Sequence, residues 1–171
     1  MFIAHAPSGY LLGVLMQRIR RSPVILLACV IGATLPDLDL LYFYLVDDRQ
    51  THHHRYFSHW PLLWLGLTLL SAIWLGLRRS SAAAGAALAF ALGGMLHMLL
   101  DSFVGDIWWL APFHDHAYAL FSVPARFQPW WLNFLLHWSF IAELAICLAA
   151  LALYRSRRQH SKKDSPCPPS A

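Results

Sequence analysis

His97 and Asp101 stand four residues apart at the end of a long apolar run, a spacing that puts both side chains on one helix face, one turn from each other. An imidazole and a carboxylate so placed can share a divalent metal. The same pair can also be a helix-end hydrogen bond. Further His and Asp residues bear on the choice. His5 lies in the first apolar segment, Asp37 and Asp39 interrupt the second, and a polar loop carries His52, His53, His54, Arg55 and His59. An ionisable residue inside a membrane segment costs roughly 2.5–3.5 kcal/mol on insertion scales, so it is a functional hypothesis by default. Asp37, Asp39 and Asp101 lie in or beside apolar runs with no lysine near them; histidines and a bound cation can neutralise them.

Each residue also has a plainer reading. His5 can be an interfacial polar residue. Asp37 and Asp39 can cap the helix that resumes at Leu40, which accounts for one aspartate well and two poorly. Only one or two of His52, His53 and His54 can face a site. His114 and His116 are weaker candidates, Glu143 can pair across the bundle, and His137 reads as structural. Taken together, the set offers His and Asp ligands without thiolates, which suits zinc, or manganese if carboxylates dominate. Such a site brings the pKa of bound water to about 7 and polarises a phosphoryl or carbonyl oxygen. The donors exceed the three protein ligands of one catalytic zinc, so one or more ions fit. Arg55 offers a bidentate fork for an anionic oxygen such as a phosphate.

These residues need elements to hold them. The chain has 171 residues, 58% hydrophobic and 13% charged, against roughly 25% charge in an average soluble domain. Its apolar runs approach the ~20 residues that cross a bilayer as helix. The expected fold is an all-α polytopic transmembrane bundle of about four to five membrane helices, near 2–17, 23–45, 61–77, 82–100 and 132–154. Pro36 breaks the second of these. Residues 1–154 form the membrane-embedded domain, and 155–171 a disordered, basic cytoplasmic tail. An aromatic loop near 101–130 suits the headgroup level. No basic region precedes the first apolar run, so a cleaved signal peptide is not expected. Cys29, Cys147 and Cys167 show neither zinc-ligand spacing nor a disulfide framework.

The net charge of +4 comes from clusters at Arg18–Arg21, Arg78–Arg79 and Arg155–Lys163 that punctuate the apolar runs. That pattern determines topology rather than binding nucleic acid. With all three clusters in the cytoplasm, His5, the loop from His52 to His59, the His97–Asp101 pair and the loop bearing His114 and His116 share the outer side. Asp37 and Asp39 lie roughly 21–24 Å from the inner boundary, in the outer half of the bilayer.

His5, Pro36-Asp37-Leu38-Asp39, His54-Arg55-Tyr56-Phe57-Ser58-His59, Gly93-Gly94-Met95-Leu96-His97-Met98-Leu99-Leu100-Asp101 and Ala111-Pro112-Phe113 occur in this order. The set resembles the YdjM-like family of bacterial inner-membrane proteins, described as membrane-bound metal-dependent hydrolases. Their pattern is similar to His-Arg-x-x-Thr/Ser-His, His-x-x-Leu-Asp and Trp-Pro-Phe. Here Ala111 replaces the tryptophan, and Trp60 stands where a small polar residue often follows. The family is distantly similar to zinc-dependent phospholipase C and P1-type nucleases. The resemblance implies His5, Asp37, His54, His59, His97 and Asp101 as metal ligands or catalytic groups, Asp39 as a further ligand or catalytic group, and Arg55 as anion holder.

The expected function is therefore hydrolysis of a phosphoester, such as a phospholipid or lipid-linked phosphate, at the outer leaflet of the inner membrane. Asp101 or Asp39 would serve as ligand or general base. The partners are membrane lipid and the phosphoester substrate, with no nucleic acid. The alternative is a non-enzymatic membrane protein: a metal or proton transporter, or an assembly factor. A pathway needs polar residues at both faces, whereas a site needs them at one.

Overall fold

The computed structural model describes residues 3–163. Among the described residues it is helical, with no strand beyond one isolated antiparallel bridge, Ile107 to Tyr118. The helices are α1 (His5–Gln17), α2 (Pro23–Thr34), α3 (Asp39–Leu45), α4 (Pro61–Leu77), α5 (Ala82–Asp101), the short α6 (Trp131–Leu135) and α7 (Ser139–Lys163). Pro23 and Pro61 open α2 and α4, where a fixed φ is already helical and no amide hydrogen is missed. At the start of α5 the Ser81 hydroxyl accepts from the Ala84 amide at 3.2 Å, a serine N-cap.

α5 sits at the centre, flanked by α2 and α4, with α1 against α2 and α7 against α1. Two glycines make the α2–α5 approach possible. A Cβ on Gly32 would meet the Phe90 backbone, and one on Gly93 would meet the Cys29 carbonyl and the Ala33 amide. Small residues let membrane helices come this close. Ile25, Cys29 and Ala89 are buried at the same interface.

Pro36 ends α2. One 3₁₀ turn, Pro36–Leu38, follows, and the chain resumes as α3 after a bend of 49°. α5 and the Ser139–His160 part of α7 are long and apolar enough to cross a membrane, and the bent α2–α3 pair makes a third span if counted as one. α4 is apolar but has 17 residues, and α1 has 13. The expected four to five spans are thus two or three by length, with α1 and α4 as shorter members of the bundle.

The three basic clusters gather at one end. Arg20 donates to the carbonyls of Ser80 at 2.6 Å and Ser81 at 2.8 Å, pinning the α4–α5 turn. Arg157 donates to Gln17 Oε1 at 2.7 Å. α7 carries the helix through the basic stretch to Lys163, so residues 155–163 are helical where disorder is expected from composition; cations near a helix C-terminus favour its continuation. The rest of that tail lies outside the described residues.

At the other end, the aromatic loop folds back over the last turn of α5. The amides of Leu120 and Phe121 donate to the carbonyls of Ser102 at 2.8 Å and Phe103 at 2.9 Å. Trp109 Nε1 donates to Ser102 Oγ at 2.8 Å. Asn133 closes the loop's far end by accepting from the amides of Arg126 and Phe127, each at 2.8 Å.

Candidate metal centre

Asp101 is the hub of the end opposite the basic clusters. It is buried, and its two oxygens face different partners. Oδ1 lies 3.1 Å from His5 Nε2; Oδ2 lies 3.0 Å from His97 Nε2, 3.5 Å from His54 Nε2 and 3.8 Å from His59 Nε2. Asp37 approaches from the helix break, with Oδ1 3.6 Å from His97 Nε2 and 3.8 Å from His59 Nε2. Its side chain is 34% exposed, which makes it the mouth of the site. Two adjoining groups result: His5, Asp37, His97 and Asp101, and His53, His54 and His59. Within each, one ligand atom per residue lies within 4.8 Å of the others.

The outward ring nitrogens are held by acceptors. His97 Nδ1 is 2.8 Å from the Ala33 carbonyl, His54 Nδ1 is 3.1 Å from the Asp106 carbonyl, and His59 Nδ1 is 2.6 Å from Asp39 Oδ2. Carbonyl oxygens only accept, so the Nδ1 atoms of His97 and His54 carry the proton and Nε2 turns a lone pair inward. The Asp39 carboxylate does the same for His59, the carboxylate–histidine arrangement that orients metal ligands.

The interior is consequently rich in acceptors. His59 Nε2 and His97 Nε2 face each other at 3.3 Å, with Asp101 Oδ2 beside them. Neighbouring lone pairs at that distance call for a positive charge between them, a shared proton or a metal cation. Asp39 Oδ1 and His53 Nδ1, both buried and 3.8 Å apart, have no hydrogen-bond partner among the described residues. Four ligands at 2.0–2.2 Å from one tetrahedral centre stand roughly 3.3–3.6 Å apart, close to the 3.0–3.9 Å separations about Asp101 and Asp37. The donors therefore fit a divalent ion. Burial pushes the loop imidazoles down, His53 to about 4 and His54 well below its ordinary value, so both are neutral and able to ligate at pH 7.

His5, Asp37, His54, His59, His97 and Asp101 all meet here. Asp39 stands one layer out: neither it nor Asp37 caps α3, and Asp39 Oδ2 instead accepts from the Ser58 hydroxyl at 2.6 Å as well as holding His59. Asp39→Asn is expected to lower metal affinity about 10–100-fold without unfolding the protein, measured by metal titration alongside thermal melting.

Arg55 is not in the cluster. Its guanidinium pairs with Asp115 at 2.8 Å and lies over the Trp108 ring at 5.4 Å, half exposed. His114 and His116 are exposed beside Trp109 and Tyr118. Glu143 accepts from the Ile3 amide at 2.6 Å, tying the N-terminal segment to α7. His137 Nδ1 pairs with Ser139 Oγ at 2.9 Å. His53 joins the cluster although its sequence neighbourhood does not single it out. The 3₁₀ turn His53–Arg55 brings His53 and His54 to the cluster, while His52 caps it by accepting from the His54 amide at 3.3 Å.

The family model described as YdjM inner membrane protein matches residues 1–161. The chain belongs to the YdjM inner membrane protein family. The family's name accords with the apolar helices of this YdjM member, and the match spans every residue of both ligand groups. No curated protein and no solved structure matches the chain.

Proposed function

We propose that this YdjM protein is a multi-pass, membrane-bound metal-dependent hydrolase. It holds zinc, or manganese, and cleaves a phosphoester such as a phospholipid or lipid-linked phosphate at the outer leaflet, with its C-terminus cytoplasmic. The observation that carries the reading is the acceptor-rich interior about Asp101, fed by α1, the α2–α3 break, the His52–His59 loop and α5. A divalent ion there supplies an electrophile for a phosphoryl oxygen and brings the pKa of water to about 7.

The protein's own residues do the rest. Asp101, His5 and His97 hold one wall, and His53, His54 and His59 the other. Asp39 keeps the proton of His59 on Nδ1. Asp37, the most exposed of these acids, is placed to take a proton from incoming water. Arg55 waits at the rim with Trp108 and meets an anionic group before it reaches the cluster. Arg55→Ala is expected to raise KM severalfold with kcat little changed, the signature of lost uniform binding, in steady-state assays on a phosphodiester.

The site reading is favoured over a pathway by what lies below the cluster. There α2 and α5 touch backbone to backbone at Gly32 and Gly93, which closes the seam between those two helices. The deciding experiment is metal analysis of protein purified without chelator, wild type against His97→Ala. Stoichiometric metal lost in the variant, with phosphodiester hydrolysis that a chelator stops and zinc or manganese restores, supports the reading; metal-free, inactive wild type ends it. A reporter fused after Arg158 should read cytoplasmic, and an external reading inverts the topology.

A further inference from the structure

A cavity of about 690 Å³ opens beside the metal centre, between α3 and α4. Its apolar wall includes Leu38, Leu63, Leu67 and Phe90, and its polar wall includes Asp39 and Ser58. The volume lies within the roughly 300–1,000 Å³ of ligand pockets. The lining changes with depth. Asp39 and Ser58 are level with the His/Asp cluster, since Asp39 holds His59 directly. Phe90 lies seven residues before His97 on α5, about 10 Å further down at 1.5 Å per residue. Leu67 lies six residues into α4 from Pro61, about 9 Å down by the same rise. The cavity thus has its polar groups at the level of the cluster, among apolar ones, and is apolar toward the bundle's middle.

We infer that this cavity seats a hydrocarbon chain of a membrane phospholipid, headgroup end toward Asp39 and the metal centre; that the bound lipid is also the substrate rests on the hydrolase reading above. The occupant follows from the walls. One is the broken span α2–α3 and the other the apolar helix α4; in the membrane orientation proposed above, an opening between them faces bilayer hydrocarbon. Leu38 is 58% exposed at that opening, an exposure suited to lipid. A chain lying there brings its phosphate to the level of the cluster with no need to leave the leaflet. One carboxylate, Asp39, belongs to both places: it lines the cavity and orients a candidate ligand.

The test uses the full chain reconstituted in vesicles of phosphatidylethanolamine and phosphatidylglycerol, with a trace of phosphatidylethanolamine bearing a mid-chain diazirine. After irradiation, labelled residues are mapped by mass spectrometry. Labelling should concentrate at Leu63, Leu67 and Phe90. In Leu67→Trp, which fills the cavity, labelling at Phe90 should fall about tenfold, equivalent to about 1.4 kcal/mol, with bound metal unchanged. Leu63→Trp, on the same face of α4, should give the same loss and serves if the first variant does not fold. Labels spread evenly over the outer faces of α4 and α7 and indifferent to both substitutions would overturn the proposal, as would crosslinks to a second copy at this opening. Two further measurements separate this inference from the hydrolase reading. Cavity labelling in a protein that cleaves no phosphoester leaves the lipid site standing without the hydrolase. Cleavage of the soluble bis(p-nitrophenyl) phosphate with no cavity labelling leaves the hydrolase standing without this site.

Discussion

Asp101→Asn is expected to cost the protein its metal while leaving its fold intact. Asparagine matches aspartate in shape, so the packing at the end of α5 survives. The charge does not. The wild-type carboxylate lies within 3.0–3.8 Å of four imidazoles drawn from both ligand groups. Losing a residue that orients a metal ligand costs about 10–100-fold in affinity, and the hub itself should cost more than ~100-fold by that scale. Metal content by mass spectrometry and hydrolysis of a phosphodiester should fall together. A variant that keeps stoichiometric metal would show that the hub role is misassigned.

The second large effect is expected away from the ligands. Gly93→Val places a branched side chain against the Cys29 carbonyl and the Ala33 amide. Overpacking typically costs about 1–3 kcal/mol, and here the obstacle is backbone, which cannot rotate aside. α2 must move off α5. That motion also pulls the Ala33 carbonyl from His97 Nδ1, a contact of 2.8 Å, so metal affinity should drop about 10–100-fold as well. Thermal melting in detergent and metal titration should therefore both shift. At Gly76, where an added Cβ meets nothing, alanine should shift neither.

Much of this architecture is legible along the chain because it depends on local rules. Apolar runs give helices, Pro36 gives the break, and the arginine clusters mark the end away from the His/Asp residues. The i, i+4 spacing alone puts His97 and Asp101 together. What stays hidden depends on partners distant in sequence. Asp39 reads as ligand or cap, and only the approach of Ser58 and His59 shows that it orients a ligand. Arg55 reads as an anion holder because its guanidinium offers a bidentate fork, yet its partner is Asp115, sixty positions away. His53 and His54 look alike in a run of three until the 3₁₀ turn brings both to the cluster and leaves His52 as its cap. Span number is hard to read because α1 and α4 are apolar yet shorter than a full span, and apolarity does not say how far a helix reaches.

The break at Pro36 has a consequence for engineering and for evolution. The last carbonyls of a helix lack partners within it, and Ala33 is among those of α2. A continuous helix would satisfy that oxygen internally. The break releases it, and His97 takes it up. It also turns Asp37 toward the imidazoles and Asp39 toward His59. A search for more stable variants would be drawn to this point, where an interior proline costs about 3 kcal/mol. Mending the segment would strengthen the helix and withdraw the oxygen that orients His97, so stability and function are selected in opposite directions at one residue.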